Sequence, residues 1–272
     1  MNTETIIKDF VYDGQYLSDY GFMVAKISTG NDKTVIREGS PLSFNKATRN
    51  SGKSYSLLSA SYQGAYTTQF DICKNTDIYS DIEISNDEFR DLMRWLNRRE
   101  FLQFCFIPAN GDETEKYWDA SFNVEKIIVK DHLIGLRLTM ETNSALGYGQ
   151  EQVFYYTVSD AATVYTLADM SDDVGYCYPD VTVEIMRDGD FRMMNHTRSE
   201  CTEIKNCVSG ETITMHGNTK IIETDDENHQ KTMGKDFNFQ FVKIGNTIKN
   251  RYNKLSFSLP CKVTIKYKPN IK

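Results

Sequence analysis

The sequence predicts a mainly β protein built as two domains, and three observations carry that expectation. Tyr and Phe number 16 and 15 among 272 residues, beside many Thr, Val and Ile, residue types that suit a pleated, half-buried surface. Only one stretch shows strong helical periodicity. Strand periodicity then stops at Asn143-Ser144-Ala145-Leu146-Gly147-Tyr148-Gly149-Gln150, where small residues and two glycines take over, as at a domain junction. We therefore expect domains at residues 1–145 and 150–272. The 40% hydrophobic, 12% aromatic and 25% charged shares supply real cores and exclude dominant disorder. No repeat of solenoid or propeller length is present.

In chain order, Phe10-Val11-Tyr12 and Gln15-Tyr16-Leu17 flank Asp13-Gly14, a pair that favours positive φ at both positions and so a type I′ hairpin. Residues 29–54 are polar and read as a loop or extended arm. From Tyr55 to Lys74 the alternation is strand-like, with Gly64 marking a turn. Ser85-Asn86-Asp87-Glu88 is a capping box, followed by Phe89, Leu92, Met93 and Leu96 at i, i+3, i+4 and i+7. That pattern predicts a helix over about residues 85–99, with Arg90, Arg94, Arg98 and Arg99 left wet. Strand 101–107 follows, then a long hairpin of 117–128 and 133–142 turning at Val129-Lys130-Asp131-His132. Past the junction all is β: 181–185, a turn at Asp188-Gly189, a hairpin about His216-Gly217-Asn218, and a last strand 263–268 with Val, Ile and Tyr on one face and Thr and Lys on the other.

Charge narrows function. The chain carries 31 basic and 38 acidic residues, a net of −7, and residues 1–145 hold −5 of it with 16 basic and 21 acidic residues. A nucleic-acid binder needs a basic footprint, so that class is disfavoured. The acid-free basic run at 248–272 reads as a solvated strand face. The opening Met1-Asn2-Thr3-Glu4 has neither a basic nor an apolar leader region, and no apolar run is long enough to span a bilayer. We expect no signal peptide, no membrane association and cytoplasmic synthesis, with the six cysteines as reduced thiols.

No motif survives as a catalytic centre. Residues 47–54 (Ala-Thr-Arg-Asn-Ser-Gly-Lys-Ser) approach a phosphate loop, but the flanks read as a Pro-containing loop and a strand, where a buried strand and a helix N-terminus are required. Cys201, Cys207 and His216 offer three zinc-type ligands without a fourth at a usual spacing, so buried thiols are expected and no metal. Glu113, Glu115 and Asp119 near Tyr117 and Trp118 suggest either a glycosidase carboxylate pair or solvating charges on a hairpin end. No GxSxG elbow is present. We expect no catalytic, cofactor or metal residue, and no enzyme.

Tyr12-Asp13-Gly14 with Leu17-Ser18-Asp19-Tyr20-Gly21, then Met93-Arg94-Trp95-Leu96, Gly147-Tyr148, Tyr178-Pro179-Asp180-Val181, Gly210-Glu211-Thr212-Ile213-Thr214, Asn250-Arg251-Tyr252-Asn253-Lys254-Leu255 and Ile265-Lys266-Tyr267-Lys268-Pro269 resemble, in that order, the Dit-like distal tail proteins of long-tailed phages. The resemblance implies an N-terminal β-sandwich or barrel-like ring domain with one helix, and a C-terminal galectin-like β-sandwich. It further implies a structural, homo-hexameric baseplate hub at the virion tail tip, made in the host bacterial cytoplasm. Its partners would be the tail tube protein, the tail-tip hub and receptor-binding components, with DNA only as passing cargo. The −5 charge of residues 1–145 suits a lumen along which DNA slides. The competing expectation is a non-catalytic carbohydrate-binding β-sandwich module, stacking sugars on Trp118, Tyr176 or Tyr178. A tail-tube subunit is a third, set aside because such a subunit would not need residues 150–272.

Overall fold

A computed structural model describes residues 7–25, 39–48, 54–108, 116–159 and 163–272. The chain divides into two compact units, Met1–Gly149 with Lys272, and Gln150–Ile271.

The first unit contains β1 (Ile7–Tyr12), β2 (Gln15–Tyr16), β3 (Phe22–Ala25), β4 (Leu42–Thr48), β5 (Tyr55–Tyr62), β6 (Thr67–Lys74), α1 (Asn86–Leu96), β7 (Leu102–Pro108), β8 (Tyr117–Val129), β9 (His132–Thr142) and β10 (Gly147–Tyr148). The β1–β2 turn has Asp13 at φ 52° and Gly14 at φ 73°, the I′ geometry that the Asp-Gly pair favours. The main sheet runs β2-β1-β7-β8-β9-β6-β3, antiparallel throughout. It curls so that β1 nears β3, yet these do not pair. The barrel-like expectation is corrected accordingly: among the described residues this is an open, curled sheet.

The helix α1 starts where the capping box places it. The Ser85 hydroxyl accepts from the Glu88 N–H at 3.3 Å and Glu88 Oε2 accepts from the Ser85 N–H at 2.7 Å, which satisfies two donors that a helix start leaves open. Its buried face is Leu92, Trp95 and Leu96. Trp95 stacks on Tyr20 at 4.5 Å and Phe10 at 5.6 Å, and its indole N–H donates to the Tyr12 carbonyl at 3.1 Å. Phe10, Phe70, Phe104 and Phe122 form an aromatic core beneath. Burying such rings is the dominant favourable term.

The second unit contains β11 (Gln152–Val158), β12 (Val164–Ala168), β13 (Gly175–Cys177), β14 (Asp180–Ile185), β15 (Gly189–Asn195), β16 (Glu200–Cys207), β17 (Thr212–His216), β18 (Ile221–Thr224), α2 (Glu227–Asp236), β19 (Ile244–Asn246), β20 (Tyr252–Phe257), β21 (Cys261–Tyr267) and β22 (Asn270–Ile271). Two sheets, β11-β21-β14-β17-β18 and β12-β20-β15-β16, share one core. Val181, Val183, Ile213, Val263 and Ile265 come from the first, and Leu167, Phe191, Met193, Ile204, Leu255 and Phe257 from the second. This is a β-sandwich. On β21 Lys262 and Lys266 are exposed while Cys261, Val263 and Ile265 are buried, so the basic run is a wet strand face. The sequence offers no apolar stripe to announce α2. It packs on β16 and β18, the edge strands of the two sheets, and so covers an open side of the sandwich.

Candidate functional site

The candidate sugar platforms fare unequally. Trp118 is only 7% exposed, packed among Tyr66, Phe104 and Phe106 with Lys116 over its ring. A buried ring has no face for sugar, which withdraws Trp118. Tyr176 is 56% exposed and meets Tyr178 edge-on at 5.7 Å. Cations lie over both rings, Arg198 and Lys243 at Tyr176 and Lys220 at Tyr178. Burial, reinforced by repulsion from Lys243, holds the Lys220 ammonium below the ordinary lysine range.

The carboxylate group near Trp118 is part structural and part beyond view, since Glu113 and Glu115 lie outside the described residues. Asp119 accepts from the Tyr148 hydroxyl at 2.6 Å and from the Asn143 amide at 3.1 Å, and burial together with this bond pushes Tyr148 up to about 12. In the phosphate-loop look-alike, 49–53 lie outside the described residues. Its flanks are β4 and β5, two antiparallel strands of one hairpin, and a phosphate cradle needs a helix after the loop.

The incomplete zinc set does not converge. His216 faces Glu223 at 3.7 Å, and Cys201 donates to the neighbouring Thr202 carbonyl. Cys207 lies instead with Glu211 and His229, all three buried, their ligand-type atoms within 4.8 Å of one another. The fully buried Glu211 faces His229 Nδ1 at 2.5 Å through Oε1, where it also accepts from the Thr224 hydroxyl at 2.5 Å, and it accepts from the Val208 N–H at 3.0 Å through Oε2. Burial pushes the Cys207 thiol up to about 12.

A further exposed surface is the β4–β5 hairpin. It pairs with no other strand among the described residues. Cross-strand partners Lys46 and Leu57, Phe44 and Ala60, and Thr48 and Tyr55 share one face by the two-residue pleat, and Leu42 joins them. Leu42, Phe44, Tyr55 and Leu57 are 45%, 53%, 65% and 59% exposed. A lone two-stranded hairpin is marginally stable, and one with an apolar face open to water has its hydrophobic stabilisation still to gain.

Comparison with known proteins gives these surfaces a context. Residues 5–144 match a family described as the phage tail protein N-terminal domain, and residues 146–267 match the phage tail C-terminal domain. No curated protein sequence matches. Among solved structures, the crystal structure of the SPP1 Dit (gp 19.1) protein, described as a paradigm of the hub adsorption apparatus in phages infecting Gram-positive hosts, is similar with a TM-score of 0.65. That likeness spans 97% of this chain and 99% of that one at 12% identity, and it establishes a Dit-like fold. No helix among the described residues is long and apolar enough to cross a membrane. With both family domains matched in order over nearly its whole length, the chain belongs to the phage tail protein family, as a structural component of the virion.

Proposed function

We propose that this chain is a distal tail protein, a non-catalytic hub whose copies close into a hexameric ring at the tail tip. The ring connects the tail tube to the tail-tip hub and the receptor-binding components, with DNA passing through its lumen. The observation that carries this reading is the amphipathic β4–β5 hairpin, with Leu42, Phe44, Tyr55 and Leu57 aligned on one face that is exposed among the described residues. A second copy is its occupant. Cyclic head-to-tail assembly gives every arm a neighbour to lie on and leaves no arm free, whereas an open assembly would run on as a fibre. Stable contacts of this kind bury about 800 Å² per partner, more than four side chains supply, so the arm is one part of a wider interface.

The test is mass and shape in solution, with the chain at high concentration or co-expressed with its tube and hub partners. Annular particles of sixfold mass are expected from the native sequence. The pair Phe44→Glu and Leu57→Glu, placed where neither side chain is buried in the monomer, should abolish the ring and leave a folded monomer. A chain that stays monomeric under both conditions, or a charged pair that still assembles, overturns the reading. A glycan array should be blank; reproducible binding lost in Tyr176→Ala would favour the carbohydrate-binding alternative.

A further inference from the structure

We infer that the second unit holds a structural site for a zinc-class divalent cation, ligated by Cys207, Glu211 and His229 where β16, β17 and α2 meet. A thiol, a carboxylate and an imidazole, none open to solvent, bring their ligand atoms within 4.8 Å of one another, and this donor set suits a borderline-soft cation. Charge agrees with the set. Once Cys207 gives its proton to the solvent, thiolate and carboxylate neutralise the cation, which leaves no net charge buried.

The histidine supplies an independent argument. Nδ1 faces Glu211 Oε1 at 2.5 Å, while Nε2 is buried without a hydrogen-bond partner, 3.9 Å from Asp236 Oδ2. In a neutral imidazole one nitrogen is bare. With the proton on Nδ1, the bare Nε2 faces the Asp236 carboxylate. With the proton on Nε2, the bare Nδ1 faces Glu211 across a gap where two acceptors repel. A cation that displaces this contact, with Nδ1 and Oε1 moving apart to about 3.3 Å so that each lies about 2 Å from it, resolves both, since it takes the Nδ1 lone pair and leaves Nε2–H to approach Asp236, the carboxylate that orients a ligating histidine. Thr224 and Val208 already hold the Glu211 carboxylate in place, as outer groups do at metal sites. Of the three ligands His229 lines an open groove of about 470 Å³, with Asn206, Asp226 and Asp236, so the cluster lies one side chain from solvent, and a solvent oxygen admitted past that ring would take the fourth position. Bound there, the ion would pin α2 over the edges of both sheets.

The full chain, stripped with chelator and dialysed, is titrated with Co²⁺ and then Zn²⁺. One equivalent of Co²⁺ should bind with a thiolate-to-cobalt charge-transfer band, and Zn²⁺ should displace it and raise Tm. Cys207→Ser should lose the band, the Tm rise and at least about tenfold in zinc affinity, whereas Asp236→Asn should keep the band and lose about tenfold in affinity. Cys201→Ser should change nothing. Circular dichroism checks that each variant is folded. The site is overturned if the folded native chain takes up no stoichiometric metal, or if the band follows Cys201 rather than Cys207. It is equally overturned if nitrogen NMR finds both His229 nitrogens protonated and indifferent to zinc, for then an imidazolium between Glu211 and Asp236 explains the geometry.

Discussion

The two units treat their edges and apolar faces differently. In the second, α2 lies along the edge strands β16 and β18, and the sandwich covers its own open side. In the first, the curled sheet stays open, and β4–β5 carries four large apolar side chains on a face left exposed among the described residues. A closed edge marks a domain that is complete alone, and an uncovered face marks one that needs company. On the proposed function, the contrast points to the first unit as the one that assembles and to the second as a self-sufficient body.

The largest effects should separate buried from exposed rings. Trp95→Ala removes stacking on Tyr20 and Phe10 and the indole hydrogen bond to the Tyr12 carbonyl, and should cost about 3–5 kcal/mol in denaturant unfolding. Phe257→Ala in the sandwich core, where that ring is 2% exposed, should cost a similar amount. Phe44→Glu with Leu57→Glu should stay within about 0.5 kcal/mol per site in the monomer, since surface positions are tolerant. If the arm variants unfold the monomer as severely as Trp95→Ala, the hairpin is part of the first unit's own core and the contrast fails.

What the sequence made legible follows from how local the signal is. The Asp13-Gly14 turn and the Ser85–Glu88 box are complete within four residues, and both stand where expected. Periodicity places the helix stripe at Phe89, Leu92, Met93 and Leu96, while Trp95 is the buried anchor, because its partners Phe10, Tyr12 and Tyr20 lie some 75 to 85 positions away in the chain. The α2 helix has no periodic signature, since only His229 and Met233, at i and i+4, are buried, and its sequence mark is the Asp226 cap accepting from Asn228 and His229. The β8–β9 turn narrows to Lys130 and Asp131, both at positive φ without a glycine. The neighbours of Cys207 are hidden for a related reason. Spacing pointed to His216, but the residue that joins Cys207 sits on a helix the periodicity does not announce.

A smaller effect probes the sandwich turn. Gly217→Ala would drive its Cβ into the carbonyl oxygens of Tyr178 and Pro179, which are backbone and yield poorly. The neighbouring N–H of Gly217, bonded to Asp180 at 2.7 Å, would have to move with it. We expect a loss of about 1–3 kcal/mol by calorimetry. Gly14→Ala, whose Cβ meets nothing but whose φ is 73°, tests backbone strain alone, at about 1 kcal/mol. Equal costs would mean that space at Gly217 is not the constraint.

The smallest effect concerns charge at the start of α1, and its sign can be worked out. Partial burial works to raise Glu88, but the Ser85 N–H, Lys74 and the Ser85 hydroxyl outweigh it and hold the carboxyl below the ordinary glutamate value. Lys74 lies 3.0 Å away and is itself largely buried. A group whose folded pKa is depressed contributes fully above its unfolded value, about 4.3, and loses that contribution as pH falls through the lower folded value. Glu88→Gln keeps an oxygen for the Ser85 N–H and removes the charge, so it should cost about 0.5–1 kcal/mol at pH 7. The gap between the two proteins should hold steady down to about pH 5, shrink through the region near 4, and close in more acid solution. A gap that persists unchanged at the acid end would place the loss in cap geometry, and the charged contact with Lys74 would then contribute nothing measurable to the first unit.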